Sequence, residues 1–340
     1  LKFTATGARS TAKDTLEALA EEDPIARDIL AWRKLSKLRS TFVSDELQNM
    51  LDKNSRLHTE YKPTGTTTGR LSSKNVNLQN IPRKAYIRQM FSVPPGYKFV
   101  EIDHSMAELR VVAFLSNEKS LLDAFEKGED IHTNTASEIF QVAKELVTHE
   151  MRVVAKFINF GVVYGRGAES IARMHGISLE EAELFLRRFF AAKPYLTKWL
   201  RDVVALAQSQ RFLQNIYGRI RRWPVYGPFL SEWEREARNF LPQSIVAEKT
   251  LESMNTLNTF LMQNSFKTSL IMNGHDSLSF ETHESELDAL LPVFKTVMEM
   301  PLPIIEKGIP VEIKVASRWW DSKYQLYENG KFIEKEREDD

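Results

Sequence analysis

A chain of 340 residues, 42% hydrophobic and 27% charged, has the composition of a globular protein large enough for two or three lobes. Basic and acidic residues balance at 46 each, which argues against a protein that coats nucleic acid through bulk charge but leaves room for local basic strips. Cysteine is absent, so there is no disulfide framework and no thiolate metal site, and no apolar run reaches the length of a membrane span. No secretory signal is visible in this sequence, and the lack of cysteine fits a reducing compartment. The first residue is Leu1 rather than Met, so a processed chain or a piece of a longer one is expected.

Residues 1–9 read as irregular. Ser10 and Thr11 read as a helix start, followed by Leu16, Leu19 and Ala20. Pro24 reads as a break before a second helix over about 25–42, with Ile25, Ile29, Leu30, Leu35 and Leu38 as its apolar positions. Its basic half, Arg33, Lys34, Lys37 and Arg39, suits the negative end of a helix. Such a strip suits phosphate and a solvated face equally well. From Arg56 to Pro82 the pattern is loop and short strand, dense in hydroxyls and glycine over 64–73, with Arg70 as its cation. That composition permits close approach to a polyanion, although a plain surface loop has it too.

Lys98 to Asp103 alternates as a half-buried strand, with Glu101 and Asp103 on one face and Val100 and Ile102 on the other. Ala107 to Leu115 reads as a helix packed behind it. Residues 118–225 read as mainly helical, with clear periodicity over Leu179–Phe190. The basic strip Arg219–Trp223 reads as a helix or loop face. Helices continue from about 228 to 262 and carry Arg235, Asn239 and Gln243. Ser269 to Phe280 reads as a hairpin with His275 and Asp276 at its tip. A helix over about 284–299 precedes a strand over Val311–Val315, and Glu334–Asp340 reads as a frayed tail. The order predicts an α+β fold, a split sheet with a helical insertion, open on one face.

Within the insertion, Arg152, Lys156, Phe160 and Tyr164 recur at every fourth position, so a helix stacks them on one stripe. Val153, Val154, Phe157 and Ile158 form the apolar flank. Two cations followed by two aromatics suit a ligand with a polyphosphate at one end and a flat ring at the other. A solvated cationic face merging into core aromatics is the alternative. Asp103 and Asp276 each end or turn a strand, and neighbouring strands lie about 4.8 Å apart, so both carboxylates could serve one pair of cations. Magnesium needs only one or two carboxylates beside phosphate oxygens, and paired ions roughly 3.5–4 Å apart serve in-line phosphoryl displacement. Ordinary surface charge is the alternative for any two aspartates.

Three segments bear on that choice: Asp103-His-Ser-Met-Ala-Glu108-Leu-Arg110, Arg152-x3-Lys156-x3-Phe160-x3-Tyr164-Gly165, and His275-Asp276. In order and approximate spacing they resemble the three polymerase motifs of family A DNA polymerases. Thr68-Gly-Arg70-Leu-Ser-Ser73, Asn77-Leu-Gln-Asn-Ile-Pro82, Asp130-Ile-His132-Thr133 and Asn239-x3-Gln243 are similar to the family's secondary motifs. The similarity covers about residues 10–320.

The resemblance implies a right-hand polymerase fold with an antiparallel-sheet palm, helical fingers and a partial helical thumb. Residues 1–50 would be the C-terminal part of the thumb, 51–116 and 240–325 the palm, 117–239 the fingers, and 326–340 a charged tail. It implies addition of deoxynucleotides to a primer 3′-OH on a template, with release of pyrophosphate. Asp103 and Asp276 would bind two Mg²⁺ ions, for which Mn²⁺ could substitute. Arg152, Lys156 and His132 would hold the triphosphate, with Lys156 also serving catalysis. Phe160 would stack on the incoming nucleotide and, as Phe rather than Tyr, discriminate against nucleotides lacking the 3′-OH. Tyr164 and Glu108 would exclude a ribose 2′-OH. Arg70, Gln243 and His275 would reach the minor groove or sugar at the primer terminus. Asn239, Arg235 and Lys37 complete the implied DNA contacts.

Ser277 stands where the family usually has Glu, which puts any metal-supporting role of that position in doubt. The start of the thumb and any exonuclease motif are missing. A longer protein or a second chain is therefore expected to supply them, and the chain alone should grip duplex weakly and lack proofreading. Primer-template DNA and a deoxynucleoside triphosphate are the implied partners, with no membrane. The implied setting is the cytoplasm of a bacterium or virus-infected cell, with an organelle still open. Two alternatives remain: a primer-template-binding subunit that is catalytically weak or inactive, and a single-subunit RNA polymerase. Glu108, Phe160 and Tyr164 argue against the second.

Overall fold

The computed structural model describes residues 7–20, 22–43, 45–82 and 85–336. The chain divides into two compact units, Leu1–Glu60 with Ser73–Leu78, and Tyr61–Ser72 with Gln79–Asp340.

The first unit is helical, with α1 (Lys13–Leu19), α2 (Pro24–Phe42) and α3 (Asp45–Asn49). Pro24 starts α2 rather than merely preceding it. In the first turn its missing N–H costs nothing, and Asp23 caps the helix by accepting from the Ile25 amide at 2.8 Å. Ala26 and Phe42 are buried, whereas Trp32, Leu35 and Lys37 are exposed. Short strands β1 (Glu60–Lys62) and β2 (Ser72–Lys74) occupy the loop-rich segment, as its composition predicts.

The second unit begins with α4 (Ala85–Arg88), β3 (Tyr97–His104) and α5 (Ala107–Ser116). A helical lobe follows: α6 (Lys119–Glu126), α7 (Ile131–Phe140), α8 (His149–Val163), α9 (Ala168–His175), α10 (Leu179–Ala192) and α11 (Pro194–Gln210). Next come a small hairpin of β4 (Phe212–Gln214) and β5 (Ile220–Arg222), and then the long helix α12 (Ser231–Gln263). The chain returns to the sheet through β6 (Ser269–Asn273), β7 (Ser277–His283), α13 (Leu287–Met298), β8 (Val311–Ala316), β9 (Lys323–Glu328) and β10 (Lys331–Glu336).

Six strands form one antiparallel sheet in the order β10-β9-β8-β3-β7-β6. Alternation places Val100, Ile102, Leu278, Phe280, Ile313 and Val315 against Leu257 and Leu261 of α12 and Leu290, Leu291 and Phe294 of α13. Phe280 and Phe294 are fully buried and stack with ring centroids 4.3 Å apart. The other face carries Glu101, Asp103, Ser277 and Glu312, so the hydrophobic pattern chooses which face is left for polar chemistry.

The helical lobe has its own core, in which Leu109, Val112 and Ala113 of α5 meet Val154, Ala155 and Ile158 of α8. This packing ties the helix that follows Asp103 to the cationic helix. Buried Glu118 accepts from the Tyr195 and Leu196 amides, each at 3.0 Å, and so satisfies the N-terminus of α11. Among the described residues no helix is long and apolar enough to cross a membrane.

Three local expectations change. The strip Arg219–Trp223, expected as a helix or loop face, supplies Ile220–Arg222 to the hairpin strand β5, because Gly218 and the Asn215 side chain, which accepts from the Tyr217 and Arg219 amides, close a turn before it. Residues 334–336 belong to β10 rather than a frayed tail, since pairing with β9 satisfies their backbone, and 337–340 lie outside the described residues. Val153, assigned to the apolar flank of α8, is exposed.

Truncating the stacked pair removes core volume that rigid neighbours cannot refill. Phe294→Ala should lower the unfolding free energy by about 3–5 kcal/mol in urea titrations. A loss below about 1 kcal/mol would mean that this core collapses around the cavity.

Candidate active site

The register of β3 and β7 places Asp103 opposite Ser277, one residue from Asp276, and the His104 amide donates to the Asp276 carbonyl at 3.3 Å. Both carboxylates are half-buried at the same end of the sheet. The turn that delivers Asp276 is strained, with His275 at φ +81°, a region that a side chain with a Cβ seldom occupies. Asn273 holds it there, its side chain accepting from the His275 amide at 3.2 Å. Asn273 is itself fastened by Tyr61, whose hydroxyl accepts from the Asn273 amide at 2.9 Å and donates to its carbonyl at 3.2 Å. The Gln79 side chain donates to the same carbonyl at 3.2 Å. A Cβ at Gly274 would collide with the Ser277 hydroxyl, so that hydroxyl is folded against the turn.

Beside the aspartates, Glu108 on α5 is buried and ion-paired with Arg70. Burial raises the Glu108 pKa, with Asp276's charge adding to the rise and Arg70 opposing it. The His275 pKa is lowered by burial and then by Arg70, against Asp276. Arg70, Glu108, His275 and Asp276 therefore sense one another. The loop carrying Arg70 approaches closely, because a Cβ at Gly69 (φ +81°) would enter the Arg219 guanidinium. Arg219 Nε donates to Glu248 at 2.5 Å.

A second group stands on α7 and α8. Thr148 caps α8 by accepting from the Met151 amide at 3.3 Å. Arg152, Lys156 and Phe160 then follow on one stripe, Lys156 exposed and the other two half-buried. Asp130 caps α7, accepting from the His132 amide at 2.9 Å, and accepts from Arg152 Nε at 2.6 Å. Burial alone would raise the Asp130 pKa, but the Arg152 and His132 hydrogen bonds bring it down to about 2. His132 is buried with its ring centroid 5.6 Å from that of Phe160. Burial lowers its pKa to about 4, with Arg152 and Lys156 reinforcing the drop and Asp130 opposing it.

A third group lines a cavity of about 400 Å³: Thr67, Thr68, Tyr164, and Arg235, Asn239 and Gln243 at four-residue spacing on α12. At Gly165 (φ +71°) a Cβ would meet Arg235 Cγ at 2.8 Å, so glycine lets the end of α8 lie against α12. Lys37 belongs to the first unit.

Sequence reasoning did not assign Asp130 as the partner of Arg152, nor roles to Asn159 and Tyr61. Asn159 carries a signal, being a polar residue between Ile158 and Phe160 on an otherwise apolar stretch. Tyr61 carries none. Two carboxylates with no sulfur donor fit magnesium, which takes one or two protein carboxylates and completes its shell with phosphate and water. No group of three or more His, Cys, Asp or Glu suited to a metal occurs among the described residues.

His132 also couples stability to pH. Between its ordinary pKa of 6.5 and about 4, the unfolded chain binds a proton that the folded chain refuses, so stability falls as pH drops through that window. Replacing the imidazole, His132→Gln, should flatten the urea-unfolding profile by about 3 kcal/mol between pH 7 and pH 4. An unchanged slope would mean that the folded imidazole accepts the proton freely.

Known proteins resemble the chain over nearly its whole length. The model of DNA polymerase family A matches residues 1–321. The thermostable DNA polymerase I of Thermus aquaticus is 36% identical over 91% of this chain and 38% of its own length. DNA polymerase I of Pseudomonas aeruginosa is 34% identical over 94% of this chain and 36% of its own. The chain thus spans little more than a third of these relatives. A solved POL domain of Pol1 from M. smegmatis, in complex with DNA primer-template and dNTP, superposes with a TM-score of 0.84. It is 31% identical, over 94% of this chain and 57% of that one. The fold is therefore the α+β polymerase fold, and a family match running through the sheet, the cationic helix and the strained turn makes this chain a member of DNA polymerase family A.

Proposed function

We propose that the chain carries out template-directed DNA synthesis, joining the primer 3′-OH to the α-phosphate of a deoxynucleoside triphosphate with loss of pyrophosphate. The observation that supports this reading is the β3–β7 register, which pairs Asp103 with Ser277, the residue after Asp276, in a member of this family. The two carboxylates would hold a pair of Mg²⁺ ions, or Mn²⁺ in their place, whose chemistry when bound is to stabilise charge on the attacking and leaving oxygens.

The remaining roles belong to the protein. Arg152 would exchange its contact with Asp130 for the triphosphate, and Lys156, exposed one turn further on, would neutralise the charge that develops as pyrophosphate departs. His132, neutral through burial, would add a hydrogen bond to a phosphate oxygen. Phe160 would stack on the nucleotide. Tyr164 and Glu108, the latter held by Arg70, would close the space needed by a ribose 2′-OH. Arg70, His275, Gln243 and Asn239 would follow the primer terminus through minor-groove acceptors common to all base pairs, which checks pair shape without reading sequence. Arg235 would lie on the template side, and Lys37 on duplex phosphates. In this reading residues 1–50 are thumb, 51–116 and 240–325 palm, and 117–239 fingers, while β9 and β10 extend the palm sheet into the segment first assigned to a tail.

Primer extension with and without Mg²⁺, on DNA and RNA templates in parallel, tests the reading. Asp103→Ala and Asp276→Ala should each cost about three orders of magnitude in rate while DNA binding survives. Turnover near that of the unaltered protein would remove the metal assignment. Glu108→Ala should raise ribonucleotide incorporation relative to deoxynucleotide, and unchanged sugar selectivity would refute the gate.

A further inference from the structure

Asn159 is fully buried on α8, so both ends of its amide are committed inside the protein. Its Oδ1 accepts from the Thr135 hydroxyl at 3.0 Å, and its Nδ2 lies 3.1 Å from His132 Nδ1. Thr135, 1% exposed, has no other acceptor for its hydroxyl proton among the described residues. Turning the amide over would strand that proton, a cost of about 1–3 kcal/mol. With Nδ2 donating, His132 Nδ1 must be the acceptor, and a neutral imidazole then carries its single proton on Nε2.

We propose that Asn159, itself oriented by Thr135, is a positioning residue that fixes His132 as a neutral donor through Nε2–H. The inference deepens the reading in which His132 contacts the triphosphate and rests on it for its functional consequence. A phosphate oxygen accepts only, so a histidine of the opposite tautomer would present it with a lone pair. The charged groups that act on the ring are Asp130, which favours imidazolium, and Arg152 and Lys156, which disfavour it. The two cations disfavour imidazolium, so a relay of hydrogen bonds, rather than a positive charge, supplies the donor. Burial acts in the same direction.

The ¹⁵N spectrum of the histidine-labelled protein, with His132→Gln identifying its signal among the seven histidines, decides the tautomer without any activity measurement. Nε2–H at neutral pH is expected. Nδ1–H, or imidazolium, overturns the proposal. Asn159→Asp places an acceptor against Nδ1 and should draw the proton there. The apparent KM for dNTP should then rise about five- to tenfold at pH 8, with kcat within about twofold. The ratio to the unaltered protein should narrow as pH falls, because the carboxylate now favours imidazolium, which donates from both nitrogens. Thr135→Ser should keep the unaltered tautomer and KM, whereas Thr135→Val should move both toward the aspartate variant. A KM that rises equally at every pH with the tautomer unmoved also overturns the proposal. A moved tautomer with unchanged KM upholds the relay and removes the triphosphate contact from His132.

Discussion

The pairing of β3 with β7 is the constraint on which the site depends, and the apolar side of the sheet enforces it. Side chains alternate along a strand, so a slip of one residue would turn Asp103 into the core beneath α12 and α13 and bring Ile102 to the polar face. Burying an unpaired carboxylate among Leu257, Leu290 and Phe294 costs far more than any gain available at the open end. The placement of two acids from distant parts of the chain is thus secured by aliphatic and aromatic residues that never touch a ligand. Tyr61 and Gln79 add the last detail by holding Asn273, and with it the strained turn.

Resting partners are a second theme. Arg152 sits on Asp130 and Arg70 on Glu108, so two cations proposed to contact ligands are already paired. In the proposed reading a ligand phosphate would exchange one anion for another at Arg152, which would avoid the penalty of holding a bare charge in a partly buried cleft. Asp130 also caps α7, so the first helical turn, which carries His132, would stay anchored were Arg152 to leave it.

Much of this was legible before any coordinates. The stripe of Arg152, Lys156 and Phe160, the strand ending in Asp103 and the hairpin bearing Asp276 all follow from periodicity and turn chemistry. Pairing β3 with β7 was an inference from topology, because alternation shows which residues share a face but not which strands are neighbours. Partners at long range were invisible. Tyr61 reaches Asn273 across most of the chain, and Asn159 depends on Thr135 one helix away, so no local pattern exposes either pair. The terminal strands were missed because 331–336 is rich in charge and wholly exposed, which local reasoning takes for a solvated tail.

That charged strand changes what the sheet offers to its surroundings. The family match ends at residue 321, β9 and β10 lie beyond it, and among the described residues β10 forms one edge of the sheet and β6 the other. An unpaired rim invites another chain to add itself by backbone hydrogen bonds. Lys331, Glu334, Lys335 and Glu336 oppose that addition through the desolvation each would suffer and through a charge pattern that few incoming strands could match. The charges on β10 thus make this edge of the sheet a poor template for a further strand, at the end of the sheet order away from β3 and β7.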